Sequence, residues 1–262
     1  MNTPLFLATI LFMTLYSPAL AFTTKSVQWD LVGKENGIEV SRRHIEAQGL
    51  HQFRGVGEVE AGIPELIALF ADAPKQIQWQ HGCVESKLVK RNFDPEREAD
   101  SNKNVETLTQ IVYGVQGVPW PLTDRDYILK SYLATDFDED GKLVQVSIRA
   151  KDTRQQNYPP KNGKVRIPVM NTDIVLTPIS ETKTLMSFSV LLDPGGWAPK
   201  WIVDMVTQNV PQQTILNTRR VMANKDYDTS LARFIRKRIA RMEVLRAPLP
   251  PEPEEDQEPV SH

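Results

Sequence analysis

The chain has 262 residues, of which 40% are hydrophobic and 24% charged, the ordinary composition of a globular protein. A net charge of −2 gives no sign of attraction to nucleic acid. The single cysteine, Cys83, excludes an intramolecular disulfide, so the fold must be stabilised by its own apolar core.

The first 21 residues differ in character from the rest. An almost unbroken apolar run extends from Leu5 to Leu15, and Ala19-Leu20-Ala21 follows it. This pattern is typical of a secretory signal peptide that is cleaved before Phe22. The apolar run is short for a membrane span, and an uncleaved anchor is the alternative. We therefore expect an exported protein, periplasmic or secreted after signal cleavage, with a domain over residues 22–228.

Short strands dominate the chain up to residue 193. Trp29–Gly33 is predicted as a short helix or turn, and Asn36-Gly37 as a turn. Helical spacing is seen only at Ile63–Phe70 and at residues 75–80. The strands predicted from period-two alternation span residues 37–43, 53–59, 84–92, 105–115, 126–135, 143–151, 164–178 and 184–193. Such a series of antiparallel strands predicts one strongly curved sheet.

Three further segments complete the chain. A long amphipathic helix is predicted from about Ala198 to Lys225, with Met205 on its inward side and a kink at Pro211. Residues 229–246 are predicted as a basic amphipathic helical extension with six cations. This extension is either a solvated helix or a helix that lies on an anionic bilayer with its apolar side down. The five prolines and five acids of residues 247–262 predict a disordered acidic tail.

Two motifs carry a resemblance to a known family. Val118–Tyr127 (VPWPLTDRDY) is a proline-stiffened loop that leads into a strand, and Asp193–Trp201 (DPGGWAPKW) is a turn that leads into the long helix. In this order and spacing they resemble the START family of lipid-transfer domains, over about residues 26–226. The flanking pattern is most similar to the phosphatidylcholine-transfer branch. The resemblance implies an α+β helix-grip fold, in which a curved antiparallel β-sheet wraps around a long C-terminal α-helix and encloses a hydrophobic tunnel.

The resemblance also implies which side chains contact the lipid. Tyr127 and Tyr113 match choline-facing aromatic positions of that branch, but the third such position falls near Met170, which is not aromatic. A cation–π cage gains its strength from several rings, so this departure weakens choline recognition. Trp79 falls, with its neighbour Gln80, where the branch has residues near the phosphate.

Four more positions have alternative interpretations. Gln110 and Ser131 match the charged pair of the steroid-binding members but are uncharged, so a phospholipid is favoured over a sterol. Arg125 either belongs to the lipid site or pins its loop to neighbouring residues. Trp120 either dips into a bilayer interface or packs in the core.

Nothing in the sequence predicts catalysis. The four histidines are scattered, and no HExxH, CxxC or GxSxG motif and no phosphate loop is present, so no catalytic residue, metal or cofactor is predicted. The predicted function is non-catalytic binding of a single lipid, with transfer between membranes. The alternatives are a helix-grip enzyme that acts on a hydrophobic substrate and a lipid-sensing module. The expected partners are the lipid and, transiently, a membrane surface, with the protein a monomer that does not bind nucleic acid.

Overall fold

The computed structural model describes residues 28–93, 108–153, 158, 163–197 and 200–247, without the side chains of residues 200–202 and 204–206. In this part of the chain, ten strands form one sheet and four helices accompany it. The strands are β1 (Asp30–Glu35), β2 (Ile38–Ile45), β3 (Leu50–Val59), β4 (Cys83–Arg91), β5 (Thr109–Gln116), β6 (Arg125–Phe137), β7 (Leu143–Asp152), β8 (Val165–Arg166), β9 (Val169–Ser180) and β10 (Lys183–Asp193). The helices are α1 (Ile63–Ala71), α2 (Gln76–Trp79), α3 (Lys200–Ala223) and α4 (Thr229–Arg246), and a 3-10 turn spans Ala73–Lys75.

The sheet is antiparallel and has the order β1-β2-β3-β10-β9-β7-β6-β5-β4, and the two residues of β8 pair in parallel with β6. Strand β9 shows the alternation that the sequence predicts, because every second residue from Met170 to Leu176 is buried. Strand β10 presents the same pattern from Thr184 to Val190. These buried residues form the inner face of the sheet, and the α+β helix-grip architecture predicted from the family resemblance is confirmed.

The long helix α3 packs against this inner face, mainly on β3 and β10. It approaches β3 closely at Gly55, where an added Cβ would lie 3.0 Å from Pro211 Cβ and 3.2 Å from Ile215 Cδ1. An added methyl group at position 55 would require α3 or β3 to shift by a few tenths of an ångström, so glycine suits this close approach. The helix continues through Pro211 as a single element.

Two local predictions differ from the structure. The segment from Trp29 to Gly33, predicted as a short helix or turn, contains the start of β1, which forms a hairpin with β2. Asn36 and Gly37 make its turn with φ values of 53° and 68°, as an Asn-Gly pair favours. The predicted strand over residues 164–178 is divided into β8 and β9, and Pro168, which has no N–H to donate to a ladder, lies between them.

Helix α4 follows α3 and packs against α1. Its first turn is capped by Asp228, whose Oδ1 accepts hydrogen bonds from the backbone N–H groups of Ser230 (2.8 Å) and Leu231 (3.0 Å). Its apolar side belongs to the core through Leu231, Ala232, Phe234, Ile235, Ile239 and Met242. The interpretation that this apolar side faces a bilayer is therefore wrong, because α1 and the sheet already cover it. None of the helices in the described ranges has the length and apolarity that a membrane span needs.

Candidate functional site

Three cavities lie side by side between the helices and the inner face of the sheet. The first, which we name the α4 cavity, shares Phe70, Gln110, Ser131 and Ile148 with the second, the middle cavity. The middle cavity in turn shares Gln80 and Thr172 with the third, the loop cavity. Their volumes are about 40, 50 and 40 Å³, which is room for a few water molecules each. Because neighbouring cavities share wall residues, they form one row through the interior.

The walls at the two ends of this row are mainly apolar. The α4 cavity lies between α1, α4 and the sheet, with Ile67, Phe70, Leu133, Ile148 and Ile235 among its lining residues. The loop cavity is bounded by the Val118–Leu122 loop and by the segment that joins β10 to α3, and its other lining residues include Met170, Phe188, Val190, Leu192, Pro194, Val203 and Val210. Polar side chains line the middle cavity and also part of the loop cavity, where they are Gln80, Gln116, Arg125, Thr172 and Thr207.

Gln110 and Ser131, two of the predicted site residues, are brought together at the border of the α4 and middle cavities. They are direct partners across β5 and β6. Ser131 Oγ donates to the carbonyl oxygen of Gln110 at 3.4 Å, and Gln110 Nε2 donates to the carbonyl oxygen of Phe70 at 3.3 Å. Gln110 Oε1 is buried and has no hydrogen-bond partner among the described residues. This oxygen is an acceptor that a polar group in the cavity would satisfy.

Trp79 borders the middle cavity at the end of α2. Its indole packs edge-on against the ring of Phe70, with centroids 4.9 Å apart and an interplanar angle of 71°. The indole Nε1 is buried and, within the described ranges, donates to no acceptor. Trp79 therefore combines an apolar wall with one donor that a ligand oxygen would satisfy.

Arg125 borders the loop cavity at the start of β6. Its guanidinium donates to the carbonyl oxygen of Thr123, while its Nε is buried without a partner in the described part of the chain. Burial lowers the pKa of Arg125, and the charge of Asp124 opposes this effect. Arginine remains protonated in proteins, so the loop cavity carries one buried positive charge. Such a charge is suited to an anionic ligand group.

Tyr127 is fully buried next to this row. Its hydroxyl accepts a hydrogen bond from Gln80 Nε2 at 3.4 Å and lies 3.4 Å from Cys83 Sγ. Burial is the main cause that raises the pKa of Tyr127 well above its ordinary value, and burial likewise raises the pKa of Cys83. Tyr127 is not among the residues that line the three cavities. Its hydroxyl is connected to the cavity lining by the hydrogen bond from Gln80.

Tyr113 points away from the cavities. Its neighbours Gln110 and Val112 line the middle cavity, whereas Tyr113 packs with Val115 and Ile128 on the opposite face of the sheet. The ring of Tyr113 also receives the Lys87 ammonium, whose Nζ lies 5.1 Å from the ring centroid. Tyr113 and Tyr127 therefore do not enclose one ligand, and the structure does not assemble the aromatic pair expected from the resemblance.

The remaining predicted residues are Trp120 and Met205. Trp120 is 91% exposed in the loop before β6, which excludes its packing in the core, and Trp197 is 76% exposed in the segment before α3. Met205 lies in α3, but its side chain is outside the described part of the structure.

Thr172 and Ile235 are among the lining residues that were not predicted as part of the site. Thr172 is a polar residue between the buried Met170 and Ile174 on the inner face of β9. A polar residue in an otherwise apolar face is the sequence feature that could have predicted its place in the site. Ile235 comes from α4, and its inward position depends on how α4 packs.

Comparison with known proteins agrees with this architecture. A family model described as the START domain matches residues 17–225. An uncharacterised protein of Pseudomonas aeruginosa is 25% identical over 213 residues, which is 80% of this chain and 96% of that protein. The phosphatidylcholine transfer protein of Rattus norvegicus is 24% identical over 196 residues, which is 74% of this chain and 82% of that protein. A solved fragment of a STAR-related lipid transfer protein from Xanthomonas axonopodis has a TM-score of 0.60 at 24% identity and covers 74% of this chain and 98% of that fragment.

Proposed function

The chain belongs to the START domain family, and from this premise we propose that it binds one phospholipid in a tunnel formed by the three cavities and transfers it between membranes without catalysis. The observation that carries the proposal is the row of cavities, whose walls are mainly apolar at both ends. Buried polar atoms of Trp79, Gln110 and Arg125 lie on its walls and lack partners in the described structure. A phospholipid would complement both features, since its acyl chains are apolar and its head group is polar.

The polar part of the lipid is proposed to lie near Arg125 and Gln80. A phosphate oxygen beside the guanidinium would form charge-assisted hydrogen bonds and would offset the burial of that charge. The acyl chains would then extend past Gln110 towards the α4 cavity, where each methylene removed from water contributes about 0.8 kcal/mol. Tyr127 remains a predicted head-group residue, and the hydrogen bond from Gln80 is its link to the site.

Lipid uptake requires the walls to separate, because cavities of about 40–50 Å³ hold no phospholipid. The two segments that border the loop cavity, residues 117–124 and 194–197, are proposed to move apart. Each of them carries a largely exposed tryptophan, Trp120 and Trp197. Because indole rings favour the interface between lipid and water, both segments are suited to transient contact with a membrane surface.

The test is native mass spectrometry of the purified protein, followed by a transfer assay between donor vesicles that contain fluorescent phosphatidylcholine and unlabelled acceptor vesicles. We expect a one-to-one phospholipid adduct and transfer that accelerates with protein concentration. A protein that carries no lipid and transfers none would contradict the proposal. Binding without transfer would instead support the lipid sensor, and a change in the mass of the bound lipid would support the enzyme.

We also propose that the protein is exported. The sole support for this proposal is the sequence of residues 1–21, which lie outside the described structure. Amino-terminal sequencing of the protein from its own host is expected to begin at Phe22. An intact Met1 in a membrane fraction would show that the segment is an anchor.

A further inference from the structure

We propose that helix α4 forms the far end of the lipid tunnel and that the Ile235 side chain sets the longest acyl chain the tunnel accepts. The inference rests on the proposed function, since it concerns the lipid bound there. It assigns a role to a helix that lies outside the START match, which ends at residue 225, whereas α4 begins at Thr229.

Ile235 is the α4 residue on the wall of the α4 cavity. Its side chain is completely buried, and it belongs to the core cluster that contains Ile67 and Phe70 of α1 and Leu133 of β6. Beyond Gln110 and Ser131, the side chains that close this end are apolar with the exception of Thr109 and the Tyr132 hydroxyl. An apolar end of this kind is suited to the terminal methyl of an acyl chain and would leave a head group without hydrogen bonds.

The helix that carries Ile235 is fixed to the domain along its length. Asp228 caps its first turn, and Arg236 pairs with Glu65 of α1. At the other end, Glu243 Oε1 accepts a hydrogen bond from the Leu143 N–H at 3.1 Å, and the Arg246 guanidinium lies 4.3 Å from the Phe137 ring centroid.

Contacts with α1 and with the β6–β7 connection therefore hold α4 from both sides. The loop end of the row differs, because the two segments that border it carry largely exposed tryptophans. A chain that grows by one methylene at the α4 end meets the Ile235 side chain, which is completely buried in the core.

The experiment compares Ile235→Ala, Ile235→Phe and the control Ile239→Ala. Ile239 lies one turn further along α4, is also buried, and loses the same atoms, but it borders a surface cleft near Pro178 and not the α4 cavity. Each purified protein is incubated with an equimolar mixture of saturated phosphatidylcholines from dimyristoyl to diarachidoyl, and the bound species are quantified by native mass spectrometry. Circular dichroism establishes that each variant is folded, and Ile235→Val replaces Ile235→Ala if the latter is not.

For Ile235→Ala we expect the distribution to shift to longer chains, with about a fourfold gain in relative occupancy for each additional methylene buried, the equivalent of about 0.8 kcal/mol. Ile235→Phe should shift it to shorter chains, and Ile239→Ala should leave it unchanged. Identical chain-length distributions in all folded variants would overturn the inference. If the wild-type protein bound no phospholipid in this mixture, the proposed function itself would fail, which is a distinguishable outcome.

Discussion

The ring of Tyr127 lies directly against the backbone of Gly114, its partner on the neighbouring strand. An added Cβ at position 114 would come within 2.3 Å of Tyr127 Cζ and 2.4 Å of its hydroxyl oxygen. The absence of a side chain at Gly114 thus leaves the space that the phenol of Tyr127 occupies next to β5. This position directs the hydroxyl towards Gln80 and Cys83, next to the row of cavities.

Replacement of Gly114 by alanine should therefore destabilise the protein. The added methyl forces the ring of Tyr127 or the two strands apart, and overpacking of this kind costs about 1–3 kcal/mol of the free energy of unfolding. Urea denaturation followed by circular dichroism measures the loss. Gly33→Ala is the matched control, because nothing lies within 4 Å of an added Cβ there. Equal effects at the two positions would mean that Tyr127 is not confined by Gly114.

Alkaline pH should lower the stability through the buried Tyr127 and Cys83. Burial raises the pKa of both groups in the folded state, so the folded protein holds these protons more tightly than the unfolded chain does. Their contribution to stability is complete below the unfolded pKa values, about 8.5 for cysteine and about 10 for tyrosine, and decreases as the pH rises above them. Each group that is ionised only in the unfolded chain adds a slope of about 1.4 kcal/mol per pH unit.

The measurement is the urea-derived free energy of unfolding from neutral pH upwards for the wild type, Cys83→Ala and Tyr127→Phe. We expect both variants to show a shallower decline than the wild type, with the Cys83→Ala difference beginning at lower pH. Native Cys83 should also react with a thiol reagent far more slowly than the urea-unfolded chain. A wild-type slope that neither variant changes would show that other groups control the alkaline limit.

Much of the fold is predictable from local sequence because its determinants are local. The Asn36-Gly37 turn, the alternation of β9 and β10 and the helical period of residues 231–246 each depend on neighbours within a few residues, and the structure contains all of them. The predicted helix or turn at Trp29–Gly33 was wrong because strand formation there depends on pairing with β2, which is not visible in five residues.

The site was harder to predict because a residue's direction depends on strand register. Tyr113 and Gln110 lie on one strand, but only a residue-by-residue register decides that Gln110 faces the cavities and Tyr113 faces away from them. Ile235 could not be assigned to the site at all from its helix alone. Its place on a cavity wall follows from the packing of α4 on α1, which is a tertiary contact between distant segments of the chain. The Arg236–Glu65 pair, for example, joins residues that are 171 positions apart.

Arg125 should contribute to the binding of lipids that carry a phosphate. Its buried Nε lacks a partner in the described structure, and a hydrogen bond to a charged group contributes about 1.5–3 kcal/mol. Arg125→Gln should therefore weaken phosphatidylcholine binding by roughly ten- to a hundredfold, and diacylglycerol binding much less. Competition with a fluorescent lipid measures both. Arg149→Gln, on the exposed side of β7, is the control. Equal losses for both lipids would indicate that Arg125 only holds its loop.

The exposed cations of α4 should affect binding to anionic vesicles but not lipid transfer. Arg233, Lys237 and Arg241 lie on the exposed side of α4, at the opposite end of the cavity row from the loop cavity. A basic residue at an anionic surface contributes about 1 kcal/mol, which is roughly a fivefold change in affinity, and salt screens it. We expect the triple replacement by glutamate to weaken sedimentation with phosphatidylserine vesicles and to leave transfer between neutral vesicles unchanged.

The control for this charge reversal is the same replacement of Lys87, Lys90 and Arg91, three exposed cations of β4. Deletion of α4 is not a suitable alternative, because the deletion would remove buried core residues such as Phe234 and Met242 along with the charges. If both triple variants lost the same affinity for anionic vesicles, the binding would reflect net charge and not the face of α4.

Trp120 and Trp197 should affect the rate of lipid transfer and have little effect on the equilibrium binding of lipid in the tunnel. Both indoles are largely exposed, and both lie in segments that border the loop cavity, where the lipid is proposed to enter. Full burial of a large apolar side chain contributes about 1.5–3 kcal/mol, and partial immersion in a bilayer interface contributes less. The double replacement by alanine should therefore slow transfer several-fold, both between neutral vesicles and between anionic vesicles, while equilibrium lipid binding is retained.

The control for this prediction is Leu31→Ala, at an exposed apolar residue of β1, which should leave the transfer rate unchanged. In the wild type, brominated lipids should quench tryptophan emission, and this quenching should decrease in the double variant. If the folded double variant transferred lipid as fast as the wild type, the loop end would be excluded as the membrane contact, and the α4 end would become the alternative.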